Sequence, residues 1–196
     1  MIPQYMLKAS YLTLRIFLLI GGILVSATWI IAGGKKYFGG WFKSRDPKNF
    51  LYSLFQSIIF LPQIFGVPFF PLPQFFFTPI LQIIGLIIFY IGVIFAVWAR
   101  ITMGKSWGLP GTWDDKREKK LIEEGPFHYS RNPIYIGILL MCLGFELGLN
   151  SYLIILTIPL YIYFHWEIQK EEKILEKEFR EKYFKYKKNI PRIFWF

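Results

Sequence analysis

FFFTPILQIIGLIIFYIGVIFAVW, residues Phe75–Trp98, is the stretch on which the fold turns. It carries no charged side chain, stops just short of Arg100, and exceeds the roughly 20 residues that a helix needs to cross a bilayer. Working outward, Tyr11–Gly34 is a second run of this kind, interrupted only by Arg15. A signal-peptide core would be about 7–15 residues followed by a small-residue cleavage site, whereas this run is longer and ends in Gly33-Gly34-Lys35-Lys36, so it reads as a retained helix. Lys35–Lys48, with five basic residues against Asp46, reads as a loop. Phe50–Pro71 holds Pro62, Pro68 and Pro71 and is expected to kink or unwind at its far end, and the uncharged stretch Pro68–Pro73 reads as an aromatic interfacial turn. Pro133–Trp166 is apolar again apart from Glu146 and the Gly148-Leu149-Asn150-Ser151 break. Each half is about 16 residues, or about 24 Å of helix, which barely crosses a hydrocarbon core of about 30 Å. It is expected to form a helical hairpin, either two short spans or a pair packed inside the protein.

Composition agrees with this reading. Of 196 residues 54% are hydrophobic and only 18% charged, against about 25% charged in soluble domains, yet the net charge is +10. Disorder, collagen-like repeats and disulfide scaffolds are excluded, and the lone Cys142, set in an apolar run, reads as inert packing. The charge is one-sided. Residues 35–48 hold five basic side chains, 100–131 seven and the tail after 166 nine, together 21 of 23. Five spans with the N-terminus outside and the C-terminus in the cytoplasm therefore satisfy the positive-inside rule, and nucleic acid need not be invoked. The expected fold is all-α: a polytopic integral membrane protein of about five transmembrane helices, the last two a hairpin, with a C-terminal cytoplasmic amphipathic helix. Residues 1–100 are expected to form its three-helix transmembrane region and 101–196 a second region that includes the helical hairpin and the C-terminal helix.

The tail His165–Tyr186 is expected to be that amphipathic helix. Ile168, Leu175, Phe179, Tyr183 and Tyr186 share one stripe, and Glu178–Lys182 and Glu181–Lys185 are spaced as outer ion pairs. Pro191 ends it, and Ile193–Phe196 reads as an interfacial anchor. Chemistry can reside in three places. In Gly125–Gly137, Pro133 suits a first helical turn and Asn132 an N-cap, and the free N–H groups there would attract an anion; an ordinary cap with a snorkelling Arg131 and interfacial Tyr135 is the plainer alternative. Glu171 and Glu172 are adjacent carboxylates, one on an apolar stripe, that need cationic or hydrogen-bonding company unless they form a solvated face. Leu121-Ile122-Glu123-Glu124 leads into Gly125 and is weak alone. His128 and His165 lack metal-site spacing, and no phosphate loop, serine elbow or zinc motif occurs.

Taken in order, Gly125-Pro-Phe-x-Tyr-x-Arg-Asn-Pro-x-Tyr-x-Gly137, the hairpin, Glu171-Glu172-x-x-Leu175, Phe179, Tyr183-x-x-Tyr186 and Pro191-Arg192 resemble the isoprenylcysteine carboxyl methyltransferase and phospholipid methyltransferase superfamily. The resemblance covers about residues 115–192. It implies S-adenosyl-L-methionine as cofactor and S-adenosyl-L-homocysteine as product, in a cytoplasm-facing pocket, with a lipophilic acceptor arriving from the bilayer. Carried over residue by residue, it implies cofactor contacts at Lys119, Lys120, Leu121, Ile122, Phe127, Asn132, Pro133, Ile134, Tyr135, Glu171 and Glu172, a catalytic role for Arg131, and a cofactor-binding catalytic region at 101–196. Glu167, which is not carried over, is expected on chemical grounds to be catalytic as the base for an amine acceptor, with His165 as the alternative. No metal is implied.

Two departures stand out. Asn132 takes a position that is often His, a change at home in prokaryotic members, which implies a prokaryotic cell membrane rather than endoplasmic reticulum. Glu167 stands where the prenylcysteine enzymes carry an arginine, and an acid would repel a carboxylate, which favours a neutral or amine acceptor. A membrane NADPH-dependent sterol or enone reductase shares a similar Arg-x-Pro-x-Tyr-x-Gly region and is one alternative; a non-catalytic scaffold of the same fold is another.

Overall fold

The computed structural model describes residues 4–43, 58–67, 70–74, 77–106 and 120–193. Helices α1 (Gln4–Lys43), α2 (58–64), α3 (Thr78–Met103), α4 (Pro133–Gly148), α5 (Thr157–Phe179) and α6 (Glu181–Asn189) make up these residues together with short 3-10 turns. Among the described residues no strand forms beyond a single antiparallel bridge between Pro71 and Ser151.

Among the described residues two stretches are long and apolar enough to cross a bilayer, Tyr11–Ala32 within α1 and Thr78–Met103. On α3 the exposed side chains Ile80, Ile83, Ile84, Ile87, Ile91, Ile94 and Ile101 form one helical stripe, while the buried face carries Gly85, Gly92, Ala96 and Ala99. Large apolar groups outward and small ones inward is the pattern of a helix solvated by lipid and packed on a close neighbour. That neighbour is α4. A Cβ built on Gly92 would lie 2.6 Å from both the Gly137 carbonyl oxygen and the Met141 nitrogen, and one on Gly137 would lie 2.7 Å from the Ala96 nitrogen. The two backbones therefore touch along this seam. α1 packs on the other side, where Leu14 and Leu18 meet Phe89, Val93 and Phe145.

At the end of the bundle remote from Pro133, the Phe70–Leu72 strap is stitched to the α4–α5 turn. Leu72 N donates to the Asn150 carbonyl at 2.7 Å and Tyr152 N to that of Phe70 at 2.9 Å. Glu146, buried within α4, accepts from Gln63 Nε2 of α2 at 3.0 Å. The interfacial turn expected at Pro68–Pro73 is thus, in its described part, held by protein hydrogen bonds.

Several expectations need correction. Lys35–Lys43 is not loop, because α1 continues through it; the glycine pair weakens a helix, but no residue before Pro47 forbids one. Residues 44–48 lie outside the described residues. The hairpin's second arm and the tail do not form separate helices: after a 3-10 turn at Tyr152–Leu156, α5 (Thr157–Phe179) runs without interruption from its apolar first half into its charged second half. Nor does the tail helix reach Tyr186 unbroken. Arg180 adopts φ 45° and redirects the chain into α6. The turn brings Lys187 Nζ within 2.5 Å of Glu176 Oε1, two positions that a straight helix would hold about 16 Å apart along its axis. Lys182 consequently pairs with Glu123 at 3.6 Å across the fold. Ile193 packs on the Tyr135–Phe164–Ile168 cluster, and the rest of the expected anchor, 194–196, lies outside the described residues.

Candidate functional site

The segment before α4 is shaped by Gly125, whose φ of 61° suits a residue without Cβ; a Cβ there would also lie 2.9 Å from Thr102 Oγ1. One 3-10 turn, Gly125–His128, then buries Pro126 and Phe127 and delivers the chain to α4. Pro133 occupies the start of α4, as its missing N–H and fixed φ favour. Asn132 does not cap that helix with its side chain. Its Nδ2 instead donates to the Arg192 carbonyl at 2.8 Å, because the C-terminal segment offers a fixed acceptor there.

Two charged clusters meet at this end of α4. In the first, Glu172 of α5, only 4% exposed, faces two arginines. Arg192 bonds it through Nε to Oε1 at 3.2 Å and Nη2 to Oε2 at 2.7 Å, and Arg131 Nη2 lies 3.1 Å from Oε1. The Arg131 side chain is 7% exposed, and its Nε and Nη1 are buried with no hydrogen-bond partner among the described residues. The bond to Glu172 raises the Arg192 guanidinium above its ordinary value. One carboxylate against two guanidinium groups leaves net positive charge and unsatisfied donors in a buried place, an arrangement that calls for an anion.

Tyr183 lies beside them, fully buried, and its hydroxyl too lacks a partner among the described residues. Burial first and the Glu172 charge second push that hydroxyl upward, so it remains a donor. Tyr186 donates to the Phe127 carbonyl at 2.6 Å and, with Tyr183, encloses Leu121.

The second cluster is acidic. Tyr135 donates through its hydroxyl to Glu171 Oε1 at 2.8 Å, and its ring packs edge-on against Phe164 with centroids 4.9 Å apart. Glu167, one helical turn before Glu171, is 13% exposed and bridges to the exposed Lys170 at 2.5 Å. His165 is linked to Gln169 by a 2.8 Å contact between the two Nε2 atoms. An anionic group and a cationic group of one small molecule could thus be met within a helical turn or two of the α4 start.

Arg131, Asn132, Pro133, Ile134, Tyr135, Glu167, Glu171, Glu172 and Phe127 therefore converge, although Phe127 and Pro133 are buried as packing and Glu172 is enclosed by its arginines. Leu121 is buried beneath the tyrosines, Ile122 is half-buried, and Lys120 is exposed and 3.4 Å from Glu124. Lys119 lies outside the described residues. Sequence reasoning did not single out Arg192, Tyr183 or Ser130 as site residues. The signal at hand was the Pro191-Arg192 pair ending the motif series; among nine basic residues of the tail, nothing local distinguished the one that grips the buried Glu172.

No curated protein matches the chain significantly. A sequence profile of phospholipid methyltransferases matches residues 80–182, just over half of the chain and spanning α3, α4, α5 and the acidic cluster. With this match, and with two membrane-length apolar helices among the described residues, the chain is a membrane protein that belongs to the phospholipid methyltransferase family.

Proposed function

We propose that the protein is an S-adenosylmethionine-dependent integral membrane methyltransferase acting on a lipophilic acceptor, an amine in preference to a carboxylate. The observation that carries this reading is the buried Arg131 guanidinium with two nitrogens, Nε and Nη1, that have no partner among the described residues, four residues before the tyrosine that bonds Glu171. Adenosylmethionine has a carboxylate and a sulfonium cation, and the donor set suits both. Arg131 Nε and Nη1, with the open N–H groups at the start of α4, would hold the carboxylate. Glu171 with Tyr135 would face the cationic part, and Phe127, Asn132, Ile134 and the 119–122 segment would complete the pocket. When bound, the cofactor supplies a methyl group already activated on sulfur.

The chain's own task is then to bind, orient and exclude water rather than to provide a nucleophile. An amine acceptor must lose a proton, and Glu167 can accept it once Lys170 swings away, a step of small cost for so exposed a lysine. The proposal includes five spans and a cytoplasmic C-terminus; with that topology 21 of 23 basic residues would share the side from which a soluble cofactor arrives.

Protein extracted from membranes is expected to release adenosylmethionine or adenosylhomocysteine in mass spectrometry, and labelled cofactor is expected to mark amine lipids in an extract. Recovery of a dinucleotide would move the protein to reductase chemistry. Glu171→Ala should weaken adenosylhomocysteine binding about tenfold in calorimetry, since it removes one charged contact; unchanged affinity would take Glu171 out of the site. Glu167→Gln should lower turnover on an amine roughly 10²-fold or more and flatten its acid limb, whereas an unaltered pH–rate profile would exclude it as the base.

A further inference from the structure

We infer that Arg192, close to the C-terminus and outside the residues matched by the family profile, is a positioning residue that aims Arg131 through Glu172. The Ile190–Ile193 segment has no regular secondary structure, yet it is laced to the approach of α4 at several points. Arg131 N donates to the Pro191 carbonyl at 3.0 Å. The Arg192 carbonyl accepts from Ser130 Oγ at 3.1 Å and from Asn132 Nδ2 at 2.8 Å. Ser130 Oγ in turn accepts from Asn132 N at 3.1 Å, so three consecutive residues ahead of the helix are tied to this strap.

The side chain of Arg192 closes the arrangement. Its two-pronged grip on Glu172 fixes the plane of the carboxylate, which a single bond would leave free to rotate. Oε1 is shared with Arg131 Nη2, so fixing that plane fixes the Arg131 guanidinium and turns Nε and Nη1 away from Glu172. Arg192, 30% exposed in its side chain, is the accessible member of the trio; Arg131 and Glu172 are the enclosed ones. The strap therefore sets the donors that the proposed cofactor carboxylate would meet, and the inference rests on that reading of Arg131.

The test uses the full-length protein in detergent or nanodiscs, with adenosylhomocysteine affinity by calorimetry, cofactor KM and kcat, and the melting temperature of each variant. Arg192→Lys keeps the charge and loses the fork. It is expected to weaken adenosylhomocysteine at least about tenfold and to raise the cofactor KM by a similar factor, with kcat changed less than about threefold. Because Arg192 acts through Glu172, adding R192K to Glu172→Gln should cost no further affinity, and effects that multiply in the double variant would overturn the inference. So would an R192K protein that binds like wild type. Should R192K fail to fold, Ser130→Ala loosens the strap without touching a charge and is expected to weaken binding roughly threefold; unchanged affinity there overturns the inference equally. Wild-type protein that binds no adenosylhomocysteine defeats the functional assignment and this inference with it, whereas normal wild-type binding beside an unaffected R192K defeats the positioning role alone.

Discussion

Glu172→Ala is expected to lose most of the folded protein. The carboxylate is the sole charged partner of Arg131 among the described residues and accepts both prongs of Arg192. Removing it leaves two guanidinium groups facing each other with no counter-charge, one of them almost wholly buried. Breaking a buried pair in this way costs roughly 3–5 kcal/mol, a large share of the stability of any single domain. The expected outcome is aggregation or a broad size-exclusion profile in detergent, with α6 and the C-terminal strap released to proteolysis. Glu172→Gln keeps the shape and one acceptor oxygen and should be milder. A melting temperature within a few degrees of wild type for the alanine variant would show that the trio does not hold the tail.

Gly92→Leu is expected to be nearly as damaging for a different reason. The first atom of any side chain at this position would sit 2.6 Å from two backbone atoms of α4, which cannot rotate away as a flexible side chain can. The helices must separate, at a cost of about 3 kcal/mol or more, and the displacement carries Tyr135 and Arg131 with the start of α4. Thermal unfolding in detergent should fall sharply and cofactor binding with it. Gly22→Ala is the control: nothing lies within 4 Å of its Cβ, and relief of glycine's conformational entropy should leave stability equal or raised by up to about 1 kcal/mol. Equal behaviour of the two variants would mean that α3 and α4 are not in backbone contact.

Much of the site was legible before any coordinates. Pro133 at a helix start and Ile168, Glu172, Tyr183 and Tyr186 on one face follow from spacing, and Tyr135 and Glu171 stand in the ordered motif series, although their hydrogen bond to each other appears only in the structure. What was missed shares one property: it depends on a segment distant in the chain. Asn132 looked like a cap because capping is local, but its amide finds the Arg192 carbonyl 60 residues later. Arg180 carries no turn signature, and its left-handed conformation is imposed by α6 folding back over Leu121. The loop expected at Lys35–Lys48 is corrected in its Lys35–Lys43 part for the opposite reason, since basic composition says where a residue sits relative to lipid and says nothing against a helix.

By itself the sequence determined that this is a helical membrane protein and which residue types gather around the start of α4, because the hydropathy, length and proline placement that decide these are properties of contiguous segments. Only the tertiary structure decided which of the tail's many cations meets the buried carboxylate, which carboxylate of the Glu171-Glu172 pair is locked and which faces Tyr135, and where, among the described residues, unpartnered donors remain. A buried charge persists only where groups from separate segments converge to meet it, and that convergence exists nowhere in the chain until it has folded.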